Sequence, residues 1–191
     1  MLRVIGGKFR GRKLKAPKGL TTRPVLARVR EALFTVLGDI EGLRVLDLFA
    51  GTGAIGIEAV SRGAESVVFV DSGSQQCRII RDNLTVVGIA AEVIQSEVSR
   101  VLKKMGIAGS TFDIVFADPP YEQGLGLQTL RAVCGGSILS ASGIIALTVR
   151  RTEDLPETIC CCRKLLNRCY GDTRLLLYTG SYVQNREVAE S

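Results

Sequence analysis

The chain has 191 residues, 46% of them hydrophobic and 23% charged, with 21 Gly, 5 Pro and a net charge of +6. That length suits one core-forming domain with a small appendage, and the apolar fraction excludes a mainly disordered chain. No apolar run approaches the ~18 residues of a membrane span, and Met1-Leu2-Arg3-Val4-Ile5-Gly6-Gly7-Lys8 lacks a signal-peptide core, so a cytoplasmic location is expected. The sequence holds no His, which rules out Ser-His-Asp and Cys-His catalysis. None of the six Cys forms a Cys-x-x-Cys pair, and Cys160, Cys161 and Cys162 are consecutive. No metal site is therefore expected, and the cysteines read as small reduced hydrophobes.

The charge is unevenly spread. Residues 1–30 carry ten Lys/Arg and no acid, leaving fifteen bases against all 19 acids in the rest. Arg3, Lys8, Arg10, Arg12, Lys13, Arg23 and Arg28 are candidate contacts to nucleic-acid phosphates. Interleaved Val4, Ile5, Phe9 and Leu14, with Gly6, Gly7 and Gly11 as turn residues, predict a short hairpin rather than a loose tail.

Pro24 suits the first turn of a helix that Thr21 or Thr22 would cap, and Leu26, Val29, Leu33, Val36 and Leu37 give residues 25–37 one apolar face. From Arg44 the pattern becomes strand–helix alternation. Strands are expected at 44–49, 66–70, 91–94, 112–117 and 144–149, with helices at 55–62, 75–87, 97–105 and 125–133 between them. Runs 163–170 and 173–179 flank Gly171-Asp172, which is hairpin chemistry. The sum is a doubly wound, Rossmann-like α/β fold. Its seven-stranded, mostly parallel sheet would end in an antiparallel hairpin, with helices on both faces and a small basic N-terminal β-hairpin extension. The expected division is 1–24 as a basic RNA-binding extension, 25–185 as the catalytic domain and 186–191 as a tail.

Gly51-x-Gly53-x-x-Gly56 lies between a strand and a helix, where glycines let the backbone approach a ligand closely. Asp71 ends the next strand, in position to accept hydrogen bonds from a ribose. A dinucleotide would place its pyrophosphate at the helix N-terminus; S-adenosylmethionine instead carries a cationic amino-acid end. Asp47, just before the glycines, suits an ammonium or sulfonium and would sit poorly beside a pyrophosphate, which favours the sulfonium cofactor.

The strand at 112–117 runs into Asp118-Pro119-Pro120-Tyr121. Strand C-termini are where open α/β sheets bind ligands, so this corner should face the crevice that the glycine loop lines. Two prolines stiffen it, and it presents a carboxylate, a carbonyl and an aromatic face but no nucleophile. That array suits an exocyclic amino group of a nucleobase. Asp118 and the Pro119 carbonyl would accept its two N–H bonds and free its lone pair for in-line attack on a methylsulfonium. Tyr121 would stack on the base, worth ~1–3 kcal/mol, once the base has left its helix or loop.

Together these residues resemble the class I S-adenosylmethionine-dependent methyltransferases, and more closely the bacterial family that methylates guanine N2 in 16S ribosomal RNA. The similarity runs from Arg3-Val4-Ile5-Gly6-Gly7 with Arg10-Gly11-Arg12, through Thr22-Arg23-Pro24 and Arg28 to Phe34, then Val45 to Gly53 and Asp118 to Tyr121, and ends at Tyr170-Gly171-Asp172-Thr173. The two cofactor motifs are shared by many methyltransferases; the N-terminal runs and the tail point to this family. The resemblance implies that Asp47, Phe49, Gly51, Thr52 and Gly53 cradle the methionine end. Asp71 and Ser72 would lie at the ribose, Glu97 and Val98 at the adenine, and Asp118 to Tyr121 at the target guanine. Ser72-Gly73-Ser74 departs from the charged residues usual there, and Glu97 stands where Asp is commoner.

The expected activity is N2-methylation of a guanine in small-subunit ribosomal RNA, with S-adenosylmethionine as cofactor and an assembly particle as partner. A monomer is expected. The alternatives are adenine-N6 or cytosine-N4 methylation on DNA or RNA, a nicotinamide-dependent oxidoreductase using the glycine fingerprint, and a non-catalytic RNA-binding factor.

Overall fold

The computed structural model describes residues 2–17, 24–121 and 124–180. Along them run α1 (Pro24–Leu37), β1 (Arg44–Leu48), α2 (Ala54–Ser61), β2 (Ser66–Asp71), α3 (Ser74–Val87), β3 (Glu92–Gln95) and α4 (Val98–Ile107). Then follow β4 (Phe112–Ala117), α5 (Leu125–Gly135), β5 (Leu139–Arg150), β6 (Thr158–Ile159), β7 (Cys162–Tyr170) and β8 (Thr173–Thr179). The strands form one sheet in the order β3-β2-β1-β4-β5-β8-β7-β6. β1 to β5 pair in parallel, whereas β8 is antiparallel to both β5 and β7.

The parallel strands are near-continuous apolar runs because helices cover both faces. On one face Val29, Leu33 and Phe34 of α1, Ile57 of α2 and Ile80 and Leu84 of α3 pack on Val45, Val67, Phe69 and Phe116. On the other, Val98, Val101 and Leu102 of α4 and Leu130 and Val133 of α5 pack on Leu46, Leu48, Val70 and Val115. No helix among the described residues is long and apolar enough to cross a membrane.

Three expectations need correction. The sheet has eight strands, not seven: β6 pairs Thr158 with Arg163 and Ile159 with Cys162. A two-residue strand has no period to read, and its turn holds Cys160 at φ 51. β5 starts at Leu139 rather than 144, since Ser140, Ser142 and Gly143 look like a loop. The strand absorbs them with a shift in pairing between Phe112 and Ile114, and Ser140 donates to Asp113 Oδ1 at 2.8 Å. The cysteines are free, but only Cys77, Cys134 and Cys162 are buried; Cys160, Cys161 and Cys169 are exposed. The proposed Thr21 or Thr22 cap and the tail at 186–191 lie outside the described residues.

The basic segment forms the expected hairpin, with Arg3 paired to Lys13. Val4 N–H donates to Arg12 O at 3.0 Å and Leu14 N–H to Leu2 O at 3.0 Å. Glu58 of α2, fully buried, anchors it: its two oxygens accept the N–H groups of Ile5 and Gly6, each at 2.7 Å, and the Arg62 guanidinium at 2.9 Å. Gly7, at φ 72, brings the backbone so close that a Cβ would lie 1.8 Å from Ser61 O. Arg30 supports the hairpin from α1 by donating to Arg3 O at 2.7 Å.

Candidate active site

β1 is flanked by β2 on one side and β4 on the other. The direction of winding reverses there, so the loops leaving β1 and β4 diverge and open a crevice at the C-terminal end of the sheet. The β1 loop turns through Phe49 at φ 55, Gly51 at φ 57 and Gly53 at φ 72. Phe49 is the costly one, because a left-handed backbone strains a residue that has a Cβ. The glycines serve different ends. A Cβ on Gly51 would meet only Phe49 O, at 3.8 Å, so that position opens on free space. A Cβ on Gly56 would lie 2.4 Å from the Phe69 ring, so that glycine lets α2 pack on β2.

Three carboxylates surround the crevice. Asp47 is 3% exposed and accepts the Gly56 N–H at 2.9 Å. Burial pushes its carboxyl up to about 8; the Gly56 bond opposes this, and nearby Asp118 and Asp71 add to it. Asp71 accepts the N–H groups of Gly51 at 2.8 Å and Gly73 at 2.9 Å, tying the tip of the glycine loop to the end of β2. Asp118 begins the β4 loop, its N–H 3.4 Å from Leu48 O, which sets it beside Phe49. Burial raises its carboxyl too, against a hydrogen bond from the Thr148 hydroxyl that favours the charged form. Pro119 is buried, Pro120 exposed and Tyr121 half-buried. The Tyr121 hydroxyl pairs with Thr173 Oγ1 at 2.7 Å.

The structure thus brings Asp47, Phe49, Gly51, Thr52, Gly53, Asp71 and Asp118 to Tyr121 around one crevice. Ser72 is exposed beyond Asp71. Glu97, exposed, is the N-cap of α4, and the Ser96 N–H donates to Asp71 O at 3.0 Å, placing that turn beside β2. Val98 packs into the core. Arg3, Lys8, Arg10, Arg12 and Lys13 are exposed on the hairpin and Arg28 on α1; Arg23 lies outside the described residues. Four supporting residues escaped the sequence reading: Glu58, Asn83, Thr148 and Thr173. Asn83, buried on α3, accepts the Lys15 N–H at 2.7 Å and donates to Thr52 O at 2.9 Å, joining the basic segment to the glycine loop. Glu58, Asn83 and Thr148 stand in none of the runs quoted above, and Thr173 closes the Tyr170–Thr173 run without any signal there of its link to Tyr121.

Among the described residues no salt bridge neutralises Asp47, Asp71 or Asp118. Clustered carboxylates with no countercharge favour a cation and repel a pyrophosphate. With the open Gly51 turn, these residues fit S-adenosylmethionine better than a dinucleotide.

Sheet order, glycine loop and Asp-Pro-Pro-Tyr corner define the Rossmann-like fold of the class I methyltransferases. The chain belongs to the family described as conserved hypothetical protein 95, which matches residues 2–179. It is 34% identical over 180 residues to YlbH of Bacillus subtilis (strain 168), covering 93% of this chain and 98% of that protein. To ribosomal RNA small subunit methyltransferase D of Escherichia coli (strain K12) it is 35% identical over 159 residues, covering 81% of this chain and 78% of that one. The solved structure of yhhF from Escherichia coli superimposes with a TM-score of 0.83 at 32% identity, covering 95% of this chain and 98% of that one.

Proposed function

We propose that this chain methylates the exocyclic N2 amino group of a guanine in small-subunit ribosomal RNA, with S-adenosylmethionine as the methyl donor. The observation that carries the reading is that Asp118, leaving β4, still lies against Leu48 at the end of β1, its N–H 3.4 Å from Leu48 O, so that the corner and the glycine loop start side by side at the β1–β4 switch point. An acceptor-rich, nucleophile-free corner thereby faces a glycine-lined turn ringed by carboxylates. The family, with a relative named for small-subunit ribosomal RNA, supports RNA as the substrate.

Bound at Asp47, Gly51, Thr52, Gly53 and Asp71, the cofactor supplies an electrophilic methyl group on a sulfonium. Glu97, at the N-cap of α4, is assigned as the acceptor for the adenine amino group. Asp118 and the Pro119 carbonyl accept the two N–H bonds of the target amino group. This draws its nitrogen out of conjugation with the ring and exposes the lone pair. Positioning of this kind contributes on the order of 7–11 kcal/mol in the best intramolecular models. Positive charge developing on the nitrogen is met by the Asp118 carboxylate, and the methylated nitrogen then gives up one proton to solvent. Tyr121 stacks on the splayed-out base, and the exposed cations of the hairpin hold flanking phosphates. The monomer engages its substrate as RNA in a small-subunit assembly particle, where shape selects the site.

The test incubates the protein with methyl-labelled S-adenosylmethionine and either naked 16S RNA or small-subunit particles, then digests the RNA and identifies the labelled nucleoside. N2-methylguanosine is expected, with particles as the better substrate. Label on adenine N6 or cytosine N4 would replace the assignment, and no transfer to any RNA would remove it.

A further inference from the structure

Two threonines outside the glycine loop and the Asp-Pro-Pro-Tyr run hold the two ends of that corner. Thr148 of β5 donates its hydroxyl to Asp118 Oδ1, and Thr173 of β8 pairs with the Tyr121 hydroxyl at 2.7 Å. Strand register brings them together. β5 runs antiparallel to β8 with Thr148 opposite Leu175 and Arg150 opposite Thr173, so the two threonines share one face of the sheet, a diagonal step apart. Both are almost buried, at 6% and 5% exposure. A buried hydroxyl needs some partner, and a backbone carbonyl usually suffices. Here each takes the very side chain through which the corner meets its target.

We propose that Thr148 and Thr173 are positioning residues of the methyl transfer: Thr148 turns the Asp118 carboxylate so that Oδ2 faces the target amino group, and Thr173 anchors the far end of Tyr121 so that the ring stays pointed to where the target base stacks. The inference rests on the reading that this corner receives that base. Side-chain torsions remain free to change when only the backbone is stiff, so the two prolines between Asp118 and Tyr121 do not by themselves set the direction of either side chain. The bond to Asp118 Oδ1 lies off the Cβ–Cγ axis and so holds the carboxylate plane, whereas the bond to the Tyr121 hydroxyl lies on the ring axis and holds the direction in which the ring points. Thr148 also donates to the charged form of Asp118 and so favours it, against burial. The titratable neighbour from β1 is Asp47, itself pushed up to about 8; β5 presents the uncharged Thr148, and Asp71 stands beyond Asp47 at the end of β2.

The test compares Thr148→Val, Thr148→Ser, Thr173→Val and Thr173→Ser with the parent. The Asp118 carboxyl titration is followed by NMR in the absence of cofactor, alongside kcat and KM for RNA against pH. Thr148→Val should raise the Asp118 pKa, move the acid limb of the kcat profile upward and lower kcat about tenfold or more, with cofactor Kd unchanged. Thr148→Ser should restore both. Thr173→Val should raise KM for RNA about tenfold without moving the Asp118 titration, and Thr173→Ser should restore it. If Thr148→Val does not fold, Thr148→Ala carries the same comparison. An unchanged titration and kcat in the folded Thr148 variant would overturn the role of Thr148, and an unchanged KM in Thr173→Val that of Thr173. The carboxyl titration needs no substrate, and the parent's labelled nucleoside is identified separately. Failure of the guanine assignment is therefore distinguishable from failure of the positioning roles.

Discussion

Asp47, buried, and Asp118, half-buried, are neighbouring carboxylates to which the proposed reading gives opposite tasks. Asp47 is spent on a backbone N–H and on charge; Asp118 keeps an oxygen beyond its Thr148 bond. On the proposed reading the acceptor at Asp118 counts for more than its charge, so Asp118→Asn should retain measurable methyl transfer and Asp118→Ala nearly none, read as kcat on labelled RNA. Equal losses would show that the charge is indispensable. On the same reading Asp47 acts through its charge. Its carboxyl is pushed up to about 8, so below that pH it must release a proton to receive a cation. S-adenosylmethionine affinity should therefore strengthen between about pH 6 and about pH 8, with proton release measured by calorimetry in buffers of different ionisation enthalpy. Asp47→Asn should flatten that dependence.

Two elements are fixed to the sheet by close backbone approach. Gly56→Ala would drive a Cβ to 2.4 Å from the Phe69 ring, and α2 can move only by disturbing the glycine loop at its N-terminus. A loss of about 1–3 kcal/mol in urea unfolding is expected, with weaker cofactor binding. The N-terminal hairpin depends on Glu58. Glu58→Gln weakens charge-assisted bonds to the Ile5 and Gly6 N–H groups and to Arg62, at a cost of about 1.5–3 kcal/mol. Tryptic cleavage near Lys8 and Arg10 should speed up while cofactor binding persists. If the hairpin grips phosphates, RNA affinity should fall steeply with salt, and Arg10→Ala with Arg12→Ala should reduce the slope of log K on log salt by about two. A flat salt response would leave the hairpin no such part. These elements were legible as segments: the helix face of Leu33 and the apolar run at Val45 announce themselves by period. β6 and the start of β5 were not, since a two-residue strand has no period and serines with a glycine imitate a loop.

At the scale of the molecule, the acids around the crevice oppose its own stability. A carboxyl raised from 3.8 to about 8 in the folded state contributes stability present below about pH 3.8 that is lost as pH rises through about 8. Asp118 is shifted in the same direction. The melting temperature of Asp47→Asn relative to the parent should therefore climb across that window, and saturating cofactor should shrink the difference. What the sequence by itself determined is the order of strand, loop and helix, the glycines at the β1 turn and the stiff Asp118–Tyr121 corner. Those depend on local period and local torsion, which a chain carries wherever it folds. What only the tertiary structure decided is which side chains hold that corner and that hairpin. Thr148 reaches Asp118 across 30 residues, Thr173 reaches Tyr121 across 52 and Glu58 reaches Ile5 across 53. Such partners follow from strand order and register, and a one-residue slip of β8 on β5 would turn Thr173 to the opposite face.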